Sequence, residues 1–240
     1  MAKRLLKVLD KTLDTVIILV CVLLLLIGTY SLLDNLWLYQ NASDTSVLHY
    51  KPKPDEPLSE EKKISGNQVG WISIDDTSID YPLMQGEDNY EFLNKDPYGA
   101  FSLSGSIFLD SANDPELRDD YSLIYGHHMD RGVMFGALDS YKNAGFFDTH
   151  RSGQIVTAST VYELRIFAIA SVDATDQTIF DPHGRTRDEI IAFLQKNALR
   201  YDVPREGERI VALSTCTSAN TTDRLVVFGT IREKGGEQTK

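Results

Sequence analysis

RIVALSTC (209–216) and RLVVFGTI (224–231), joined by TSANTTD (217–223), are the stretch that decides the fold. Both apolar runs are rich in Val, Ile, Leu and Phe and the segment between them is polar, so the pair reads as a β-hairpin with Cys216 and Arg224 at its two mouths. Working outward, the same pattern recurs at VGWISI (69–74), SIDYPLM (78–84), SGSIFLD (104–110), YSLIYG (121–126), GQIVTAST (153–160) and VYELRIFAIASV (161–172), with turn residues between most of them. Helical patterns are fewer. From Thr186 to Leu199, Thr186 and Glu189 fit a capping box and Ile190, Ile191, Phe193, Leu194 and Ala198 form an apolar face. A second helical pattern covers 133–147, VMFGALDSYKNAGFF. Many strands and few helices predict a mainly β fold, a closed or nearly closed barrel decorated by helices, because closure removes exposed strand edges.

Upstream of this domain, VIILVCVLLLLIGTYSLL (16–33) carries no charge and is near the length a helix needs to cross about 30 Å of hydrocarbon. The run exceeds the apolar core of a signal peptide and no A-x-A-like cleavage site follows it, so it reads as a retained anchor. Lys3, Arg4, Lys7 and Lys11 precede it, whereas Asp34 and an acidic chain follow, which predicts a cytoplasmic N-terminus and an extracellular remainder. The predicted organisation is a cytoplasmic segment 1–15, a transmembrane helix 16–33, an extracellular stalk or linker 34–65, a folded domain 66–233 and a tail 234–240. The linker assignment rests on the polar, three-proline stretch KPKPDEPLSEEKKIS (51–65).

The chain carries a formal charge of −11; four of its 24 basic and two of its 35 acidic residues lie in 1–33, leaving −13 beyond the anchor. Such a surface is a poor partner for nucleic acid, whose phosphates need Lys and Arg. Of the two cysteines, Cys21 lies inside the apolar run, so Cys216 is alone in the exported part and has no internal disulfide partner. A lone thiol outside the cell is explained by reactivity or by intermolecular pairing, or is a small buried hydrophobe; the count does not choose. Its context adds to the first reading. A thiol at the end of a strand is held firmly yet opens onto a cleft, and a guanidinium across the hairpin could stabilise a thiolate or an oxyanion. A histidine of Tyr125-Gly126-His127-His128-Met129, which also follows an apolar strand, could supply the proton transfers that a cysteine nucleophile needs. Metal binding is disfavoured: no C-x-x-C or H-E-x-x-H spacing exists, and His49, His150 and His183 stand in linker-like or turn-like surroundings.

At these residues the chain resembles the sortases, membrane-bound transpeptidases of Gram-positive bacteria, and looks most like class B. Leu213-Ser214-Thr215-Cys216 with Arg224 downstream is similar to the family's T-L-x-T-C motif and its arginine; Ala212 departs from the motif's Thr, a packing change that keeps the thiol, Thr215 and the arginine. Ile107-Phe108-Leu109-Asp110, Tyr125 to Met129 and Met134-Phe135 look like the class B segment around the catalytic histidine. In that family the histidine directly after glycine is catalytic, which selects His127. No D-P-aromatic lid of the class C kind stands in 51–65. The resemblance implies an eight-stranded barrel over about 66–233 in which Cys216, His127 and Arg224 are catalytic and Thr215 and Ser214 support substrate or oxyanion. It further implies cleavage of the C-terminal sorting signal of secreted proteins and transfer to an amine, a cell-wall cross-bridge or a pilin lysine, with no metal or organic cofactor. Two other readings remain beside it, a membrane-anchored cysteine peptidase that lets water resolve the acyl-enzyme and a non-catalytic β-domain that binds cell-wall or pilus partners.

Overall fold

The computed structural model describes residues 2–42, 45–216 and 222–235, and at 2–6, 41 and 216 the backbone alone. The chain divides after Asn41 into two compact units. The first is a helix, α1 (Ala2–Ala42), long and apolar enough to cross a membrane. At 1.5 Å rise per residue its uncharged stretch 16–33 extends about 27 Å, close to the hydrocarbon thickness of a bilayer.

The second unit is built on nine strands: β1 (Gln68–Ile74), β2 (Asp80–Met84), β3 (Ile107–Leu109), β4 (Tyr121–Tyr125), β5 (Ser152–Thr157), β6 (Val161–Asp173), β7 (Arg200–Tyr201), β8 (Arg209–Cys216) and β9 (Asp223–Glu233). Eight of them close a barrel in the order β5-β1-β2-β3-β4-β8-β9-β6, because β5 pairs with both β1 and β6. These eight are the eight apolar runs of the sequence. Two pairings, β2–β3 and β4–β8, are parallel and the others antiparallel. The long β6 gives one edge to β9 and divides the other, Val161–Arg165 to β5 and Ala168–Ile169 to β7. Strand β7 has two residues, too few to carry a hydrophobic period, and the sequence pattern misses it.

Three short α-helices and several 3-10 turns decorate the barrel. Thr186 caps α4 (Arg187–Asn197) with a full capping box, as its sequence predicts. Ile190 and Leu194 of α4 and Ile179 of α3 (Gln177–Phe180) pack on Phe167, Val226 and Phe228. Ile124, Leu213 and Val227, next to the residues that meet these helices, are also fully buried. Both faces of this part of the sheet are therefore covered, which is why RIVALST and LVVF read as continuous apolar runs instead of alternating ones. Burial of each such side chain contributes about 1.5–3 kcal/mol. The helix predicted over 133–147 is divided in two, a 3-10 segment Phe135–Lys142 and a separate α2 (Ala144–Thr149). Extended Asn143 breaks the path and caps α2 by accepting from Phe146 N.

Residues 45–65 are more than a linker. A 3-10 turn spans Thr45–Tyr50, and Leu58 is 2% exposed against Trp71, Val156 and Val161. Leu58 N donates to Thr157 O (2.9 Å) and Lys51 pairs with Asp80 (2.7 Å). The prolines keep the segment extended, and the single apolar Leu58 gives it a place to dock, so the folded unit takes in chain upstream of Gly66.

Candidate active site

Strand topology brings three separated pieces of chain to one end of the barrel. Parallel pairing sets Tyr121 to Tyr125 beside Ile210 to Ser214, and Gly126 N donates to Ser214 O (3.1 Å), so the C-terminal ends of β4 and β8 lie together. On the other side of β8 the antiparallel register pairs Thr215 with Leu225 and Cys216 with Arg224. The backbone of Cys216 therefore stands between the chain end that leads to His127 and the start of β9 that carries Arg224. His127, Arg224, Ser214 and Thr215 line a single cleft of about 250 Å³, together with Tyr125. The side chain of Cys216 and residues 217–221 lie outside what is described.

His127 is fixed from two directions. Its carbonyl accepts from Phe135 N (3.1 Å), and its Nε2 lies 2.7 Å from Leu93 O, on the turn Glu91–Leu93. A carbonyl only accepts, so Nε2 carries the proton and Nδ1 is the nitrogen left for proton transfer. Gly126 makes this approach possible: a Cβ there would stand 2.7 Å from the Phe135 ring and also strike Ile107. Gly126→Ala should therefore displace the His127 segment and lower kcat about tenfold or more, as small misplacements of catalytic groups do; unchanged steady-state kinetics would show that the close packing is immaterial.

The neighbouring histidine is used differently. His128 Nε2 meets Asp139 Oδ2 at 2.7 Å, and Lys142 meets the other oxygen at 2.6 Å. Burial works against the charge of Asp139, yet hydrogen bonds from Lys142 and His128 hold its carboxyl below the usual range. His128 is thereby turned to a hydrogen bond with Asp139, and it is not among the residues that line the cleft. Elsewhere His150, which the sequence places in a turn, stacks on Phe146 at 3.8 Å.

Arg224 is half-buried and its guanidinium turns toward the carbonyls of Thr222 (3.5 Å) and Asp223 (3.4 Å). Across the sheet Asp173 receives the Thr222 hydroxyl (2.7 Å) and the Thr175 amide (2.8 Å). Hydrogen bonds from Thr175 and Thr222, with the Arg224 charge nearby, hold Asp173 at about 2. The pKa is depressed, so the tether of Thr222 is present above the ordinary carboxylate range and is lost only as pH falls toward 2.

Ser214 and Thr215 are each 2% exposed, and their hydroxyls have no hydrogen-bond partner among the described residues. Such groups are costly to leave unpaired. The sequence reading missed the residues that the β2–β3 connection brings to the cleft, among them Asn89, Tyr90 and Leu93. The carbonyl of Leu93, not its side chain, does the work on His127, and no sequence pattern marks a carbonyl.

The sortase-domain family model matches residues 72–232. The chain belongs to the sortase family. This sortase is 31% identical to sortase B of Staphylococcus aureus over 176 residues, 71% of this chain and 72% of that one. It is 31% identical to sortase B of Listeria monocytogenes over 198 residues, 80% of each. Among solved structures, a class B sortase of Streptococcus pyogenes involved in pilus biogenesis superposes with a TM-score of 0.65 at 37% identity, over 70% of this sortase and 94% of that chain. The sortase B–substrate complex of Staphylococcus aureus gives 0.67 at 26% identity, over 85% and 99%. The sortase is thus most like class B, and it is a cysteine transpeptidase of that type.

Proposed function

We propose that Cys216, His127 and Arg224 carry out the transpeptidation, with Thr215 and Ser214 in support. Cys216 Sγ as thiolate attacks a backbone carbonyl in the C-terminal sorting signal of a secreted protein, forming a C–S bond and a tetrahedral oxyanion. Arg224 donates to that oxyanion, a role worth about 10²–10³-fold in rate for one donor. The oxyanion collapses, the C–N bond breaks, and His127 delivers its proton to the leaving amine, releasing the tail of the signal and leaving a thioacyl-enzyme. An amine from a peptidoglycan cross-bridge or a pilin lysine then attacks the thioester, His127 takes its proton, and the thiolate of Cys216 leaves. Thr215 and Ser214 support the substrate or the oxyanion from the end of β8. These steps call on no metal or organic cofactor.

The observation that carries this reading is the meeting of the ends of β4, β8 and β9 at one cleft, which puts His127 and Arg224 on either side of the Cys216 backbone. The same proposal places residues 1–15 in the cytoplasm, 16–33 in the membrane and the barrel outside, where secreted substrates and wall amines are met. The four basic residues before the apolar run support that orientation.

Product analysis with and without triglycine as acceptor tests the reaction type. The amino-terminal acyl fragment of the peptide should appear joined to triglycine, with the joined share rising with amine concentration. A product distribution indifferent to amine, all of it hydrolysed, would make the enzyme a peptidase; peptide binding by the folded wild type with neither cleavage nor ligation would leave a binding domain.

A further inference from the structure

Under the cleft lies a buried carboxylate that the proposed chemistry does not use. Asp110 follows β3 and is 2% exposed, and among the described residues no basic side chain pairs with it. Its Oδ1 accepts from Ala112 N (2.9 Å), and its Oδ2 accepts from both Tyr125 Oη (2.9 Å) and Asn89 Nδ2 (2.8 Å). The backbone around it is locked as well: Asp110 N donates to Leu123 O (2.8 Å), and Gln85 Nε2 donates to Asp110 O (2.9 Å). Burying a carboxylate against neutral donors alone is expensive, and a plain structural prop could be made of a neutral residue. Two of the donors, Tyr125 and Asn89, line the catalytic cleft.

Asp110 thereby settles which way those two groups can hydrogen-bond. Tyr125 has one O–H, and it is spent on Asp110, so the phenol oxygen is left to accept. Burial and the Asp110 charge push the Tyr125 phenol well up, so it stays an O–H donor to the carboxylate at every working pH. Asn89 spends one N–H on Asp110 and its oxygen on Ser111 N (2.8 Å), which leaves its second N–H to give.

Resting on the sortase reading above, we propose that Asp110 is a positioning residue that sets the hydrogen-bond polarity of the cleft, committing Tyr125 Oη as acceptor and Asn89 Nδ2 as donor toward an amide of the bound peptide. An asparagine at 110 keeps the shape and breaks the polarity. With its oxygen toward Ala112 N, its amide meets Tyr125 and Asn89; the Tyr125 O–H turns into the cleft, and two amide donors face each other unless Asn89 also turns and abandons Ser111. With the amide reversed, Ala112 N faces a donor.

The test uses the full-length protein in detergent, with triglycine as acceptor and the peptide that wild type turns over best in a sorting-signal library. Wild-type turnover is measured first, so failure of the catalytic reading is seen separately. D110N should raise KM about tenfold, the worth of one hydrogen bond of ordinary strength, while kcat stays within about threefold. Alkylation of Cys216 by iodoacetamide should keep its wild-type rate within about twofold, because Asp110 acts on the peptide and not on the thiol. On a Tyr125→Phe, Asn89→Ala background, D110N should cost less than about threefold, since the groups it orients are gone. An unchanged KM, a parallel fall of kcat and alkylation rate, or a full loss on that background would each overturn the proposal. Should D110N fail to fold, Tyr125→Phe alone decides: a KM raised about tenfold supports the assignment, and an unchanged KM overturns it.

Discussion

Cys216→Ala should abolish both cleavage and ligation, lowering turnover on the order of 10⁶-fold, the loss that follows deletion of a nucleophile working as a unit with its base. The magnitude follows from the chemistry: no other described group in the cleft can form the acyl bond, since the Ser214 and Thr215 hydroxyls face no base that the geometry provides. The change removes one sulfur at the end of β8, whose strand pairing with β9 uses the backbone, so the barrel should remain folded by circular dichroism. Peptide affinity should survive, because the rest of the cleft wall is intact. Measurable ligation by a folded Cys216→Ala protein would remove the thiol from the mechanism.

The two adjacent histidines should separate cleanly. His127→Ala should lower kcat by roughly 10²–10⁴-fold, the usual worth of a positioned acid–base group. His128→Ala should leave turnover within about threefold and stability within about 1 kcal/mol, because it loses only a partly exposed pair with Asp139 that Lys142 continues to neutralise. The contrast tests the geometry more sharply than either variant alone. Comparable losses in both, measured by initial rates on one peptide, would mean that the Leu93 contact does not mark the catalytic ring.

Much of this was legible because each barrel strand is long enough to show itself. The hairpin of β8 and β9 can be read directly, with Cys216 and Arg224 already opposed, since two antiparallel strands separated by a short polar stretch of sequence need no long-range information. The β4–β8 pairing is different. It is parallel and spans a crossover from Gly126 to Glu208, so nothing local announces that Tyr125 and Ser214 are neighbours; the resemblance of the two motifs, not their spacing, linked His127 to Cys216. The choice of His127 over His128 also came from the resemblance, and its physical ground is visible only in space, in Leu93 O on one side and Asp139 on the other. Asn89 escaped notice because a single polar residue in a loop carries no period, and Asp110 entered only as one residue of the motif that resembles class B, with no role of its own. The docked segment 45–65 was read as linker because its prolines and charges outnumber its one anchoring side chain, Leu58.

The most direct test of the account is the intact mass of the full-length protein in detergent after brief exposure to a sorting-signal peptide library without acceptor, for wild type, Cys216→Ala and His127→Ala. The account predicts a thioacyl adduct on wild type whose mass equals the protein plus the acyl fragment, absent from Cys216→Ala, slow to form on His127→Ala, and discharged to a ligated peptide when triglycine is added. Cleavage of the peptide by wild type with no covalent adduct under any condition, or an adduct that persists in Cys216→Ala, would contradict it.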